Sequence, residues 1–133
     1  MRNSEILFVE DDPAILDVGI EFLRRANYQA MAAINADVGL ILLEQELPFR
    51  LLITDVVLPG RFDGFALARR AKEIRPTIEI IYQTGFPAVA DVRSHGAPWG
   101  RMLLKPFGRD ELIKAVASAI PAPISSPRSP DLP

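Results

Sequence analysis

Five short apolar segments that alternate with segments of helical periodicity predict a doubly wound α/β fold with a parallel five-stranded sheet. The apolar segments are residues 6–9, 28–34, 51–53, 78–83 and 102–104, and the third delivers Asp55 at its carboxyl end. Strands joined through helices pair in parallel, and right-handed crossovers place the helices on both faces of the sheet. A chain of 133 residues, 49% of them hydrophobic and 24% charged, is large enough for one compact core. We therefore expect a single three-layer domain over residues 1–120.

A helix is expected to follow the first strand almost directly. The strand ends at the acidic run 10–12, and Asp12 can cap a helix that has Pro13 at its first position, where a missing N–H costs nothing. Apolar residues then recur at helical spacing to about Ala26, and Asn27 can end the helix. Asp12 is therefore interpreted as a helix cap and not as a third acid of a binding site.

The middle of the chain predicts a weak strand, a helix, the central strand and another helix. Segment 28–34 alternates weakly, and its alanines favour helix over strand. Asn35 can cap the next helix, which must end before Pro48. After the central strand, the loop 59–64 leads into a helix at about residues 65–74.

The last third of the chain is the least regular. Prolines and glycines interrupt residues 86–100 and leave room for only a short helix at about 88–94. The fifth strand is followed by a final helix at about 109–120. Residues 121–133 are rich in proline and serine, which predicts a disordered tail.

The composition excludes several kinds of protein and site. A net charge of -2 and a pI near 5.4 give no general attraction to nucleic acid, so direct nucleic-acid binding is not expected. The absence of cysteine excludes disulfides and thiolate nucleophiles. Glu5 precedes any apolar run long enough for a signal peptide, and no segment approaches membrane-spanning length. We expect a cytoplasmic protein that makes no membrane contact.

Three carboxylates are expected at one edge of the predicted sheet. Parallel sheets bind ligands outside the carboxyl ends of their strands, where the strand order reverses. In the flavodoxin-like order 2-1-3-4-5, that point lies between the first strand, which Glu10 and Asp11 follow, and the third, which ends at Asp55. Thr84 and Lys105 follow the fourth and fifth strands and reach the same edge.

These residue types point to phosphoryl chemistry. Neighbouring carboxylates raise one another's pKa unless a cation compensates them, and an all-oxygen set suits Mg²⁺ better than zinc. A lysine and a hydroxyl beside such a site can donate to an anion. We interpret Asp55 as a carboxylate nucleophile, with Lys105 and Thr84 as donors to the oxygens of a phosphoryl group.

Short motifs lie at the ends of the predicted strands, over about residues 4–120. They are Phe8-Val9-Glu10-Asp11-Asp12-Pro13, Thr54-Asp55, Leu58-Pro59-Gly60, Asp63-Gly64, Thr84-Gly85 and Lys105-Pro106-Phe107. Each motif is weak alone, but their order and their places at the strand ends are specific when taken together. In this combination the chain resembles the receiver domains of two-component response regulators, and in particular small stand-alone receivers.

The resemblance implies that Asp55 accepts a phosphoryl group from a phosphohistidine on a sensor histidine kinase or a histidine phosphotransfer protein. It makes Thr84 the switch hydroxyl and Lys105 the phosphate contact, and it implies Mg²⁺ as the cofactor. The implied metal ligands are Glu10, Asp11, Asp55 and the backbone carbonyl of Val57. Self-phosphorylation and self-dephosphorylation are the only reactions such a protein would perform, so no other enzyme activity is expected.

Several positions depart from the pattern of that family. Three residues before the lysine, where the family usually has a tyrosine or phenylalanine that moves with the threonine, this chain has Met102. A thioether can fill the pocket but has no ring to move, so this chain departs from the usual aromatic switch. The apolar Val57 and Phe86 flank the expected site and cannot orient an attacking water, which predicts slow self-dephosphorylation.

Other functions are weighed against this one. The favoured hypothesis is a single-domain regulator that signals through a phosphorylation-dependent contact with a downstream protein, and phosphorylation-driven homodimerisation is left open. A phosphate shuttle or sink, or a receiver fragment of a larger hybrid kinase or regulator, is the alternative. A haloacid-type aspartyl phosphatase would need an acid where Val57 stands, and a flavodoxin-like electron carrier would need a loop rich in Ser, Thr and Gly after the first strand.

Overall fold

The computed structural model describes residues 5–86 and 95–121, and this part of the chain contains five strands and four helices. The elements in order are β1 (Ile6–Val9), α1 (Pro13–Arg25), β2 (Ala30–Ala33), α2 (Ala36–Leu43), β3 (Leu51–Asp55), α3 (Gly64–Ile74), β4 (Glu79–Thr84), β5 (Arg101–Leu104) and α4 (Arg109–Ala119). All strands are parallel in one sheet, in the order β2-β1-β3-β4-β5. The predicted doubly wound α/β fold is therefore confirmed.

The register of the sheet brings the carboxyl ends of the central strands level with one another. Val9, the last residue of β1, pairs with Thr54 in β3. Asp55 pairs with Gln83 in β4, and Thr84 pairs with Leu104 at the end of β5. The residues that follow these strands consequently emerge side by side at one edge.

Alternation along the strands divides the core between the two faces of the sheet. Leu7 of β1 belongs to the cluster that α2 and α3 cover, whereas its neighbour Phe8 belongs to the cluster that α1 and α4 cover. This division follows from the pleat, because successive side chains of a strand point to opposite faces. The central strands are fully buried, as β1 and β3 show at every position.

Local hydrogen bonds begin and end the helices where the sequence predicted. The Asp12 carboxylate accepts from the amide of Ala14 at 2.9 Å, and the Asn35 side chain accepts from the amide of Val38 at 2.8 Å. Asn27 has a positive φ of 72°, the left-handed conformation that ends a helix. Asp12 is thus engaged as a cap, as the sequence indicated.

Some boundaries differ from the predicted ones. The second strand is shorter than residues 28–34, because the Tyr28 amide still donates to the carbonyl of Leu23 at the end of α1. The fourth strand runs one residue further than predicted, so Thr84 is its last residue. The short helix predicted at about 88–94 and the tail predicted beyond residue 121 lie outside the described residues.

Among residues 5–86 and 95–121, none of the helices has the length and apolar character that a membrane span requires.

Gly64 fastens the start of α3 to the strand that carries Asp55. Its amide donates to the carbonyl of Val56 at 2.8 Å. A Cβ at this position would overlap the carbonyl oxygen of Asp55 and lie 2.9 Å from the Cα of Val56. Because the obstructing atoms belong to the backbone of the sheet edge, they cannot rotate away. Any other residue at position 64 must move either α3 or the end of β3.

Gly64→Ala is expected to lower the free energy of unfolding, measured in urea, by about 1 to 3 kcal/mol, the usual cost of overpacking. The matched control is Gly85→Ala, because a Cβ at Gly85 would meet no atom within 4 Å. The control should unfold at nearly the parent midpoint. Equal stabilities for the two variants would show that the contact between α3 and β3 is not tight.

Candidate functional site

The sheet edge brings together the three carboxylates that the sequence placed there. Glu10, Asp11 and Asp55 each offer one oxygen within 4.8 Å of the others. Glu10 and Asp55 are buried, with 1% and 3% of their surface exposed, whereas Asp11 is exposed. The arrangement therefore has two desolvated acids beneath one that faces solvent.

Lys105 is the cation of this group. Its ammonium nitrogen lies 2.6 Å from Asp55 Oδ1 and 2.7 Å from Glu10 Oε1. The contact with Glu10 is a hydrogen bond, while Asp55 Oδ1 receives no well-aligned hydrogen bond and is held by the ion pair. The Lys105 amide donates to the carbonyl of Thr84 at 2.8 Å, which fixes the lysine to the end of β4.

The Glu10 carboxylate is held on both oxygens. Oε2 accepts from the amide of Asp12 at 3.0 Å. Oε1 accepts from Lys105 and also from Gln83 Nε2, at 3.2 Å. Gln83 is wholly buried and was not predicted as a site residue. The one signal in the sequence was a glutamine directly after the apolar residues 80–82 of this strand, where a buried amide needs a partner.

Thr84, Val57 and Phe86 complete the walls of a small cavity over these acids. The Thr84 hydroxyl oxygen accepts from the amide of Phe86 at 3.0 Å, and the threonine is buried. Val57 and Phe86 are 55% and 62% exposed at the rim. The cavity has a volume of about 190 Å³. Its lining residues are Asp11, Asp55, Val57, Gln83, Thr84, Gly85, Phe86 and Lys105.

Met102 lies apart from this cavity, half-buried against the core. Its partner in the sheet register is Tyr82, a fully buried aromatic residue in the neighbouring strand. The Tyr82 hydroxyl donates to the carbonyl of Pro98 at 2.7 Å. The aromatic ring of Tyr82 on β4 therefore lies beside Met102 on β5, the position that has no ring of its own.

The two buried acids titrate in opposite directions. Burial is the largest influence on Asp55, and with the adjacent Glu10 it raises the pKa of Asp55 to about 8 against the opposing effect of Lys105. Burial alone would raise the pKa of Glu10 too, but hydrogen bonds from Asp55, Lys105 and the Asp12 amide outweigh burial and lower it. Asp55 therefore holds the proton that this pair retains near neutral pH.

Lys105 keeps its charge in this environment. Burial by itself lowers the pKa of Lys105, but the two carboxylates raise it by more than burial lowers it. The site thus combines three acids with one permanent cation. Such a set can hold a hard divalent ion through oxygen atoms and can present a carboxylate and an ammonium to an incoming anion.

Comparisons with known proteins identify the family to which this fold belongs. The sequence model of the family described as "Response regulator receiver domain" matches residues 6–117. The response regulator receiver protein CpdR of Brucella abortus (strain 2308) is 38% identical over 114 residues, which are 85% of this chain and 93% of CpdR.

Solved structures show the same fold. The CheY-like receiver domain protein of Methanospirillum hungatei JF-1 has a TM-score of 0.79 at 30% identity and covers 88% of this chain and 93% of its own. The receiver domain of the sensor histidine kinase PA1611 of Pseudomonas aeruginosa PAO1, solved with a magnesium ion in its active-site cleft, has a TM-score of 0.76 at 26% identity, with coverages of 90% and 98%. This chain belongs to the response regulator receiver domain family of two-component signalling.

Proposed function

We propose that this receiver takes a phosphoryl group onto Asp55 from a phosphohistidine of a sensor histidine kinase or a histidine phosphotransfer protein, in a reaction that depends on Mg²⁺. The observation that carries the proposal is the convergence of Asp55, Lys105 and Asp11 on one small cavity, with the buried Glu10 paired to the same lysine. Residues 1–120 form the receiver unit in this proposal. Its output is a phosphorylation-dependent contact with another protein.

The acidic residues fit a magnesium ion by their donor set and by their charge. Glu10, Asp11, Asp55 and the backbone carbonyl of Val57 would hold Mg²⁺, which when bound neutralises negative charge on the phosphoryl oxygens. The three carboxylates have only Lys105 as a charged partner among the interactions of the described residues at this edge. A divalent cation removes the repulsion that otherwise keeps a proton on Asp55.

In the proposed reaction, a carboxylate oxygen of Asp55 attacks the phosphorus atom as the phosphorus–nitrogen bond of the phosphohistidine breaks. The imidazole leaves with the electron pair of that bond. The Lys105 ammonium, 2.6 Å from Asp55 Oδ1, then pairs with a phosphoryl oxygen instead of the free carboxylate. A threonine hydroxyl accepts and donates at once, so the bond that Thr84 accepts from Phe86 is compatible with donation to a second phosphoryl oxygen.

The first test is the intact mass of the protein after incubation with acetyl phosphate. We expect a gain of one phosphoryl group in Mg²⁺, no gain in EDTA, and no gain for Asp55→Asn in either condition. Asp17→Asn is the matched control, because Asp17 is an exposed aspartate on α1, and it should be phosphorylated like the parent. An adduct that persists in Asp55→Asn would place the phosphoryl group elsewhere and contradict the proposal.

The raised pKa of Asp55 has a measurable effect on stability without metal. In EDTA, the proton on Asp55 stabilises the folded protein. This contribution to the free energy of unfolding is fully present below the unfolded-state pKa of about 4, and it is lost as the pH rises to the folded-state pKa of about 8. Asp55→Asn removes this loss. Its stability relative to the parent should therefore increase across that window, by up to about 1.4 kcal/mol per pH unit, in urea unfolding.

Asp17→Asn serves as the control for this pH series as well, and its stability relative to the parent should not change across the window. If Asp55→Asn and the parent gave parallel pH profiles between about pH 5 and pH 8, the proton on Asp55 would be excluded.

The apolar rim of the cavity bears on the lifetime of the phosphoryl group. Neither Val57 nor Phe86 has a side-chain donor or acceptor that could orient a water towards the phosphorus atom. We therefore expect slow self-dephosphorylation. A long-lived phosphoryl group can instead be passed to a second protein, which is the alternative function of a phosphate shuttle.

Val57→Asn should shorten the lifetime of the phosphoryl group several-fold, measured by the decay of the phosphorylated mass. Val57→Leu is the control and should decay like the parent; an unchanged or longer lifetime in Val57→Asn would refute this explanation.

A further inference from the structure

Gln83 is a buried amide whose hydrogen bonds are only half satisfied. Its Nε2 donates to Glu10 Oε1 at 3.2 Å, while its Oε1 is buried and has no hydrogen-bond partner among the described residues. The reverse assignment of the amide would place two oxygens against each other, so the donor is correctly directed at the carboxylate. Gln83 also lines the cavity and pairs with Asp55 in the sheet.

An amide in this place weakens the metal-free protein. A buried oxygen without a donor carries a desolvation cost that an apolar side chain of similar size in the same strand would not carry. Ile81, two residues earlier on the same face of β4, is a fully buried apolar residue. The benefit of the amide must therefore come from the site beside it.

The contacts of Glu10 show what that benefit is. Lys105 and Gln83 donate to the same oxygen of Glu10. In the reaction proposed above, Lys105 also pairs with a phosphoryl oxygen on Asp55, so its ammonium is shared between that group and Glu10. Gln83 is the second donor to this Glu10 oxygen, and it is immobilised by complete burial.

We propose that Gln83 is a positioning residue of the magnesium site, which orients Glu10 through Nε2 and offers its unpaired Oε1 to a water molecule of the hydrated cation. This inference rests on the proposed function and adds a residue to it. Mg²⁺ in proteins usually retains several waters, and each of these waters is a hydrogen-bond donor. Removing a residue that hydrogen-bonds to a metal ligand typically weakens metal affinity by about 10- to 100-fold.

The test measures binding of Mn²⁺ alone, which shares the oxygen ligands of Mg²⁺ and whose free concentration is counted by electron paramagnetic resonance. Gln83→Leu should weaken binding by about tenfold or more. Gln45→Leu is the matched control, because Gln45 is exposed and its side-chain amide donates to the nearby backbone carbonyl of Ile41, and this variant should bind Mn²⁺ like the parent. Gln83→Met provides a second apolar variant of similar volume should Gln83→Leu fail to fold.

Unfolding in EDTA separates positioning from general support of the fold. A purely structural role would lower the stability of Gln83→Leu without metal and leave the Mn²⁺ affinity of the folded protein unchanged, and this result would overturn the inference. Parent-like Mn²⁺ affinity in both Gln83 variants would overturn it too. If the parent bound no Mn²⁺, and Asp11→Asn bound none either, the proposed metal site itself would be refuted. The role inferred for Gln83 would then be refuted with it.

Discussion

The ammonium of Lys105 between two buried carboxylates is the interaction on which the rest of the site depends. Glu10 follows the first strand, Asp55 ends the third, and the lysine follows the fifth, so the ion pairs exist only because the sheet order makes these ends neighbours. Removing one partner of a buried charged group leaves the others uncompensated, which is far more costly than losing a surface ion pair. The fold and the site are therefore coupled through one side chain.

Even with this lysine, the sheet edge is short of positive charge. The imbalance is relieved by a proton on Asp55 when no metal is bound, since burial and Glu10 raise the pKa of Asp55 to about 8. At the proposed magnesium site, proton and divalent cation would compete for the same oxygens, and metal binding would release a proton. In the proposed reaction, the carboxylate becomes nucleophilic only after that exchange, so the metal would prepare the acceptor as well as neutralise the donor's phosphate.

Much of this could be predicted from the sequence because the relevant signals are local. The alternation of apolar strands with helices predicted the parallel sheet covered on both faces, and the caps Asp12 and Asn35 lie within three residues of the amides they accept from. Gln83 and Tyr82 were missed for the opposite reason. Gln83 lies 73 residues from Glu10, and the carbonyl that Tyr82 binds belongs to an irregular segment 16 residues away. Which buried polar side chain meets which partner is decided by packing, and no periodicity encodes it. The roles of the site residues stay predictions.

The hydrogen bond from Tyr82 to Pro98 gives this protein an internal optical probe. The residue after Pro98 is Trp99, the single tryptophan of the chain, which is exposed and has the guanidinium of Arg101 5.5 Å from its ring centre. Tyr82 precedes Thr84 by two residues and lies on the same face of β4. This hydrogen bond therefore ties β4 to the backbone next to the indole, which is the natural fluorophore nearest in sequence to that attachment.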